Sequence, residues 1–335
     1  MPMIRALTLH VRSRDLKFPE ALELLREIKH SLEANGITVW TLRASLSEDF
    51  NWRDLRDLCR GDILLAAYHK EVRETPPSEL ESYLRTCSTG YATLLASSGD
   101  LDHLADIYMD LSKRVDEEYF TRIGVSYDEY LETPYFPLSS ALRDAVSVAY
   151  RYVDLLLQHE LSSWERVLNS FVSRVDTIIR EKASEVGLRV YHDVSLSPWM
   201  EESVVEVIEK LGVVFPGVGS FSAVYAINNL LSRVANTVSS TGFNELMLPV
   251  AEDNKLKELA KSGNLRVKDL VALSTFCVAG LDMVAIPAER EYLRKLFEDT
   301  YTAYYVKRRP YGVRIIPTNR DTVTLGRFGT LSRIE

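Results

Sequence analysis

Strand-like and helix-like segments alternate along most of this chain, and this alternation leaves few folds open to it. Ile4 to Val11 predicts a strand, and Phe18 to Ala34 has apolar residues at helical spacing before Asn35-Gly36 ends the helix. Ile37 to Leu42 predicts a second strand. A strand, helix and strand in this order are typical of a parallel sheet.

The same alternation continues towards the middle of the chain. It predicts helices at Trp52 to Cys59 and Pro77 to Thr86, strands at Asp62 to Ala67 and Tyr91 to Ala96, and an irregular aromatic stretch from Tyr119 to Pro137 after Leu101 to Lys113. Two long amphipathic helices, Ser140 to His159 and Ser162 to Val186, then form a helical mid-chain segment over residues 140–186.

The second half of the chain returns to the strand and helix pattern. Strands are predicted at Leu188 to Val194, Val213 to Phe215, Glu245 to Val250 and Gly312 to Ile316, and helices at Glu201 to Leu211, Phe221 to Val234, Asp253 to Lys261, Val267 to Thr275 and Glu291 to Tyr305. We find no repeat, low-complexity segment or linker. The pattern therefore predicts one α/β domain over residues 1–335, with a closed barrel favoured over one large open sheet.

The charge balance bears on the partners. The net charge is −8, and nucleic acids and membrane surfaces attract basic faces, so we expect neither as a partner. The main basic run, Lys307-Arg308-Arg309, predicts a solvated edge. Apolar content of 46% is typical of a soluble globular protein.

Cysteine use and the N-terminus bear on the compartment. Cys59, Cys87 and Cys277 are too few and too irregularly spaced for a disulfide or zinc framework, and they favour a reducing compartment. The first residues resemble no signal peptide, and no apolar run reaches membrane-spanning length, so we predict a cytoplasmic protein. Gln158 is the only glutamine, which favours a thermophilic source.

Cys277 is the most informative single residue. It ends the apolar stretch Leu270 to Cys277, and Gly280 and Asp282 follow within five residues. A cysteine in such a setting is either a small buried hydrophobic group or a thiol with redox or nucleophilic chemistry, which requires an electropositive environment. The sequence leaves both interpretations open.

A glycine-rich turn is the candidate anion site. Gly217, Gly219 and Ser220 precede a predicted helix, whose free N–H groups attract anions. A dinucleotide fingerprint is incomplete, because its third glycine and the later acid are both missing. The alternative is a tight turn that needs the conformational freedom of glycine.

Acidic residues follow two of the predicted strands. Asp193 and Glu252 are candidate acid or base groups, as is Asp282, whereas Asp253 is either a ligand-binding group or a helix N-cap. Arg314 is compatible with a substrate clamp or a buried ion pair. We assign no metal site and no cofactor, although these acids would suit a hard cation if they converged.

Several of these segments, in order, resemble one family, the uncharacterised protein family 0210, also catalogued as domain of unknown function 711. The resemblance is clearest from Leu188 to Pro317 and runs through Asp193 to Pro198, Gly217 to Ser220, Leu248 to Asp253, Ser274 to Pro287 and Val313 to Pro317. It implies the pyruvate formate-lyase-like fold, a ten-stranded α/β barrel with a loop threaded inside. It implies no activity.

Glycyl-radical enzymes of that fold use a cysteine on the inner loop and a radical glycine near the C-terminus. Cys277 is comparable to that cysteine. The tail Leu325 to Leu331 lacks the Arg-Val-x-Gly-Tyr type of motif, which argues against radical chemistry.

The leading hypothesis is a cytoplasmic barrel protein that binds a small anionic metabolite and acts on it. Its candidate catalytic residues are Cys277, Asp282, Glu252 and Asp193, and its candidate ligand-binding residues are Gly217, Gly219, Ser220, Asp253 and Arg314. The alternative is a non-catalytic homo-oligomeric or regulatory protein. The enzyme hypothesis requires the four candidate catalytic residues to line one cavity.

Overall fold

A computed structural model describes residues 3–14, 16–276 and 279–335. Among these residues, nine strands form one sheet. They are β1 (Met3–Val11), β2 (Val39–Leu46), β3 (Ile63–Glu71), β4 (Gly90–Ala96), β5 (Ile123–Tyr127), β6 (Ala145–Arg151), β7 (Arg189–Asp193), β8 (Gly280–Pro287) and β9 (Gly312–Thr318). The order across the sheet is β7, β6, β1, β2, β3, β4, β5, β9 and β8.

The sheet is mostly parallel. Strands β1 to β5 are parallel and adjacent in chain order. The pairs β6–β7 and β8–β9 are each parallel within the pair, but β6 runs antiparallel to β1 and β9 runs antiparallel to β5. The predicted parallel α/β architecture is therefore confirmed.

Helices cover one face of this sheet, and the large apolar core lies between the two layers. They are α1 (Phe18–Ala34), α2 (Pro77–Thr86), α3 (Leu101–Ser112), α4 (Val153–Leu157), α5 (Trp164–Ala183), α6 (Val204–Glu209), α7 (Ser220–Ala235), α8 (Asn254–Lys261), α9 (Val267–Phe276) and α10 (Arg290–Lys307). Within the described ranges, none of them is long and apolar enough to cross a bilayer.

The chain between β5 and β6 packs on a different part of the sheet. Leu131 and Tyr135 belong to a second, smaller apolar cluster with Ala6 of β1. A Cβ atom at Gly124 or Gly312 would press against the side chain of Leu138, so glycine at these positions leaves room for this segment to approach. The aromatic stretch predicted as irregular thus contains β5 and continues as this packed segment.

A second irregular segment, residues 239–253, runs beside β7. Parallel bridges join His192 to Ser240, Leu196 to Leu246 and Met200 to Asp253. The strand predicted at Glu245 to Val250 is wrong as a regular strand, because only isolated bridges form there. No bridge joins β7 to β8 in the described part of the chain, so strand pairing does not close the sheet into a barrel.

Two other secondary-structure predictions are wrong. The segment predicted as one helix over Ser140 to His159 instead contains the strand β6, followed by the short helix α4. The run Ala145 to Tyr150 is buried throughout, and a fully buried apolar run has no face that distinguishes a strand from a helix. The segment 140–186 is therefore helical only in part, and residues 213–215 form no strand.

Cys59 and Cys87 form a disulfide, which the sequence did not predict. Cys59 lies just before β3, and Cys87 ends α2 just before β4. Because β3 and β4 are adjacent parallel strands, their N-terminal ends bring two cysteines 28 residues apart into contact. Sequence spacing alone gives no sign of this proximity.

The disulfide predicts a measurable stability difference. We expect the Cys59→Ser/Cys87→Ser protein to lose about 2–4 kcal/mol of unfolding free energy, because the crosslink restricts the unfolded chain. Denaturant unfolding with and without reductant measures this loss, and Cys277→Ser serves as the control. If reductant leaves the midpoint of the wild-type protein unchanged, the crosslink does not stabilise the fold.

Candidate functional site

A cavity of about 60 Å³ lies between the β5–β6 segment, the 239–253 segment and strands β1, β2, β8 and β9. Since one water needs about 10–15 Å³ of such volume, the cavity holds about four to six waters or a ligand of similar size. Its lining combines aromatic rings with six charged side chains: Arg5, Arg43, Arg314, Arg327, Glu252 and Asp282.

Glu252 lies at the centre of this charged lining. Arg5 forms an ion pair with one of its carboxylate oxygens, and Nη2 of Arg314 lies 3.0 Å from the other. Burial acts to raise the pKa of Glu252, but the charges of Arg5, Arg314 and Arg327 outweigh it and leave the pKa below its ordinary value. Glu252 is therefore ionised at neutral pH.

Asp282 completes a second pair with Arg314. Nε and Nη2 of Arg314 lie 2.5 and 2.8 Å from the two carboxylate oxygens of Asp282. Burial acts to lower the pKa of Arg314, but Asp282 and Glu252 more than compensate, and the pKa is raised. The interpretation of Arg314 as a buried ion-pair residue therefore agrees with the structure.

Irregular backbone aims two of these side chains into the cavity. Arg5 lies where the pairing of β1 with β6 shifts register, and Asp282 lies where the pairing of β8 with β9 shifts. Met283, which follows Asp282, has a φ of 53°, a conformation that costs energy for a residue with a side chain. Such bulges are common beside binding sites, where they redirect side chains.

A pair of glycines forms the wall beside Asp282. Gly280 and Gly312 lie opposite each other on β8 and β9 and both line the cavity. A Cβ atom at Gly280 would collide with the carbonyl oxygen of Gly312. Side chains at these positions would close the space, so glycine is needed here for close approach.

Arg43 differs from Arg5 and Arg314 because no carboxylate in the described part of the chain forms an ion pair with it. Its Nε donates to Oγ1 of Thr41 at 3.0 Å, and its Nη1 donates to the carbonyl of Pro134 at 2.9 Å. No acidic group of the described residues forms an ion pair with it. Burial, assisted by the charges of Arg5 and Arg327, lowers the pKa of Arg43 to about 10, so it remains charged at neutral pH.

Arg327 and Phe328 reach the cavity from the C-terminal hairpin of β10 (Thr322–Thr324) and β11 (Thr330–Ser332). The carbonyl of Phe328 accepts a hydrogen bond from Nζ of Lys257 at 2.7 Å, which anchors the tip. The tail that lacks the radical-glycine motif therefore supplies an arginine to the cavity mouth. Sequence reasoning missed Arg327, together with Arg5 and Arg43.

Asp193 does not line the cavity. Its carboxylate accepts hydrogen bonds from the backbone N–H groups of Ser195, Phe243 and Asn244, at 3.1, 2.9 and 3.0 Å. Burial raises the pKa of Asp193, although these donors act against it. Asp193 thus fixes the 239–253 segment, including the cavity residue Phe243, rather than facing a ligand.

Asp253 also lies outside the cavity. It is the N-cap of α8, where its carboxylate accepts from the N–H groups of Lys255 and Leu256, and it also accepts from the hydroxyl of Ser203. The N-cap alternative is therefore confirmed. In the described part of the chain, no group of three or more His, Cys, Asp or Glu residues is placed to hold a metal.

The glycine-rich turn lies away from the cavity. Gly217, Gly219 and Ser220 do not line it, and Val218 between them is fully exposed. Gly219 has a φ of 96° and is the N-cap of α7. This geometry is that of a tight turn which needs glycine.

The structure therefore brings together three of the sequence-predicted site residues, Asp282, Glu252 and Arg314, and separates Asp193 from them. Cys277 lies outside the described residues. Ala279 and Gly280, which follow it in the chain, line the cavity.

The family described as Uncharacterised ACR (DUF711) matches residues 142–323, more than half of the chain. The chain belongs to this family. Within the match lie the two strands and the 239–253 segment that supply Asp282, Arg314 and Glu252, whereas Arg5, Arg43 and Arg327 lie outside it.

Relatives described as UPF0210 proteins occur in several bacteria. The chain is 31% identical to the UPF0210 protein of Bifidobacterium animalis subsp. lactis over 48% of its own length and 37% of the relative. It is 32% identical to that of Oleidesulfovibrio alaskensis over 46% of its length and 37% of the relative. The chain thus matches less than two fifths of the length of either relative.

The ion network predicts a stability cost for losing Glu252. We expect Glu252→Gln to cost about 3–5 kcal/mol of unfolding free energy, because Arg5 would stay buried without a carboxylate. Glu165→Gln is the control, since the exposed pair of Glu165 with Arg233 contributes about 0–1 kcal/mol. Chemical denaturation at pH 7 measures both variants.

The same network predicts the pH dependence. The folded pKa of Glu252 is depressed, so its contribution is present above the ordinary value of 4.5 and is lost as the pH falls through the folded pKa. The difference between wild type and Glu252→Gln should therefore shrink at acidic pH. A difference that is absent at pH 7 or constant with pH would contradict this account.

Proposed function

We propose that this protein binds a small anion in the cavity. The observation that carries the proposal is Arg43, a buried guanidinium that faces the cavity without an acidic partner among the described residues. A buried charge without a counter-charge is costly. A bound anion would supply the missing counter-charge.

The charge inventory of the lining supports the same proposal. Four arginines face two carboxylates, which leaves an excess of two positive charges. Glu252 and Asp282 neutralise Arg5 and Arg314, whereas Arg43 and Arg327 form no ion pair with any of the residues that the structure describes. In a cavity of low dielectric this excess attracts anions and repels cations.

The aromatic part of the lining supports a small organic anion. Tyr91, Tyr135, Phe136 and Phe243 contribute rings to the lining beside the arginines. Pockets for metabolites usually combine apolar walls with a few well-placed polar groups. We therefore expect a ligand with a short carbon skeleton and an acidic group.

We also propose that the sheet encloses this site as a single barrel-like domain over residues 1–335. The 239–253 segment lies beside β7 at the position of a tenth strand, and Glu252 of this segment contacts Arg314 of β9. This arrangement supports the ten-stranded architecture that the family resemblance implies, with an irregular segment in place of one strand.

The anion site predicts a specific binding defect. Arg43→Met should weaken the binding of small carboxylates by at least about tenfold, because a buried charge-assisted hydrogen bond contributes about 1.5–3 kcal/mol. Isothermal titration calorimetry with carboxylates of two to five carbons measures the affinity.

The control for this experiment is Arg166→Met, which makes the same charge change at an exposed site away from the cavity. It should bind like the wild type. If both variants lose affinity equally, the effect is long-range charge rather than a site. If the wild-type protein binds no small anion, the proposed function is wrong.

The requirement that all four candidate catalytic residues line one cavity is not met, because Asp193 lies outside it, so an enzymatic role for this cavity is proposed on fewer residues. Cys277 is the candidate nucleophile, and Asp282 faces the cavity. Glu252 suits the positioning of Arg5 and Arg314 better than proton transfer, because its pKa is lowered and both oxygens contact arginine. Asp193 does not line the cavity, so we no longer assign it a catalytic role.

Cys277 offers a direct test of this role. Cys59 and Cys87 are joined in a disulfide, so Cys277 is the one remaining cysteine of the sequence. We expect iodoacetamide to label it in the native protein below pH 8.5, and a carboxylate that binds the cavity should slow the labelling. Mass spectrometry of time points measures the rate.

The control is the Arg43→Met protein, in which the carboxylate should no longer protect Cys277. If labelling is fast but its rate does not change when the carboxylate is added, Cys277 is reactive but is not part of the anion site. Native protein that stays unlabelled would leave Cys277 with a packing role.

A second candidate function is assembly of copies of this chain without catalysis. The observation that favours it is a group of exposed apolar side chains on the glycine-rich turn, α7 and the end of α9: Val214, Val218, Phe221, Tyr225 and Phe276. The rings of Phe221 and Phe276 lie 5.4 Å apart. Exposed apolar groups of this kind are typical of protein interfaces.

The cytoplasmic location and the thermophilic source stay predictions of the sequence. The disulfide weighs against an ordinary reducing cytoplasm, but intracellular proteins of hyperthermophiles do contain disulfides. The two predictions are therefore compatible with the structure when taken together. We further expect no nucleic-acid partner, because the net charge is −8.

A further inference from the structure

We infer that the ligand carries two separate anionic groups, one bound by Arg43 inside the cavity and the other by Arg327 at its mouth. This inference rests on the proposed anion-binding function and narrows it to dianionic metabolites. The inference follows from the positions of Arg43 and Arg327. Among the described residues, neither of these two arginines has a carboxylate partner.

Arg327 is held in place by aromatic rings rather than by an acid. Its guanidinium lies 5.5 Å from the ring centre of Trp199, 5.9 Å from that of Trp40 and 5.0 Å from that of Phe328. No ion pair to Arg327 occurs within the described ranges. Contact with ring faces leaves the in-plane N–H groups of a guanidinium available for an oxyanion.

Arg43 is positioned in a comparable way inside the cavity. Thr41 and Pro134 accept hydrogen bonds from Nε and Nη1, and the ring of Phe136 lies 5.1 Å from the guanidinium. In the described part of the chain, Nη2 has no hydrogen-bond acceptor. Both arginines are therefore rigidly placed and have donors to spare.

The remaining charges decide where the ligand can place its negative groups. Glu252 and Asp282 repel an anion from the Arg5 and Arg314 side, because each carboxylate already contacts a guanidinium there. Repulsion from Arg327 also raises the free-energy cost of charging Arg43. One negative group at each arginine removes that repulsion, and a single group at Arg43 removes only part of it.

The lining also includes the apolar residues Leu138, Phe243 and Met247, which suit a hydrocarbon linker. We therefore expect a dicarboxylate or a phosphorylated carboxylate of a few carbon atoms. Such a ligand fits the size of the cavity if its second acidic group extends to the mouth.

The experiment compares acids of equal carbon number by isothermal titration calorimetry: succinate with butyrate, and glutarate with valerate, together with inorganic phosphate. The wild-type protein should bind the dicarboxylate at least about tenfold more tightly than the matched monocarboxylate, a factor that equals about 1.4 kcal/mol. Arg327→Met should remove this preference, because it should weaken the binding of the dicarboxylate much more than that of the matched monocarboxylate. Arg327→Lys should restore part of it, and Arg166→Met should behave like the wild type.

Arg43 variants complete the design. Arg43→Met should weaken the binding of both classes of acid. Circular dichroism shows whether this variant folds. If it does not, Arg43→Lys, which keeps the charge, takes its place. If the wild-type protein binds both classes with equal affinity and an Arg43 variant loses this binding, the two-group inference is wrong but the proposed anion site is supported. The two-group inference is also wrong if phosphate binds as tightly as the best dicarboxylate and the Arg327 variants do not change the affinity for phosphate. No binding by any probe would overturn both proposals.

Discussion

The contacts of Glu252 hold the site together. Its carboxylate joins Arg5 of β1 to Arg314 of β9, and Arg314 in turn contacts Asp282 of β8. These residues come from distant parts of the chain, so a single buried ion network fixes three walls of the cavity. Buried networks of this kind gain little stability overall, but the loss of one member is costly because a charge is left unpaired.

This network leaves the cavity positive. Two carboxylates neutralise two arginines, and the two that remain, Arg43 and Arg327, lie at the inside and at the mouth. Aromatic rings and backbone carbonyls hold these two arginines without neutralising them. We therefore propose that Arg43 and Arg327, whose charges are not neutralised, recognise the anion. The acids Glu252 and Asp282 instead hold Arg5 and Arg314 in place.

Much of the architecture was predictable from the sequence, because local patterns carry it. The pairing of β1 with β2 followed from the first strand, helix and strand, and the N-cap role of Asp253 from its place before a helix. The strand at Ala145–Arg151 was predicted as a helix, since burial on both faces removes the periodicity that tells the two apart. The Cys59–Cys87 disulfide depends on neighbouring strands, which spacing along the chain does not report.

The family, the α/β class and three of the charged site residues could be inferred from the amino-acid sequence alone, because Asp282, Glu252 and Arg314 lie in motifs that resemble the family. Which residues share the cavity became clear only from the three-dimensional fold. Arg5, Arg43 and Arg327 resemble ordinary surface arginines in the sequence, and they become an anion site because the fold buries or stacks them without giving each a carboxylate. The sequence also could not show that Asp193 lies outside the cavity. The direction of its side chain depends on the tertiary structure, in which its carboxylate accepts hydrogen bonds from the backbone of the 239–253 segment.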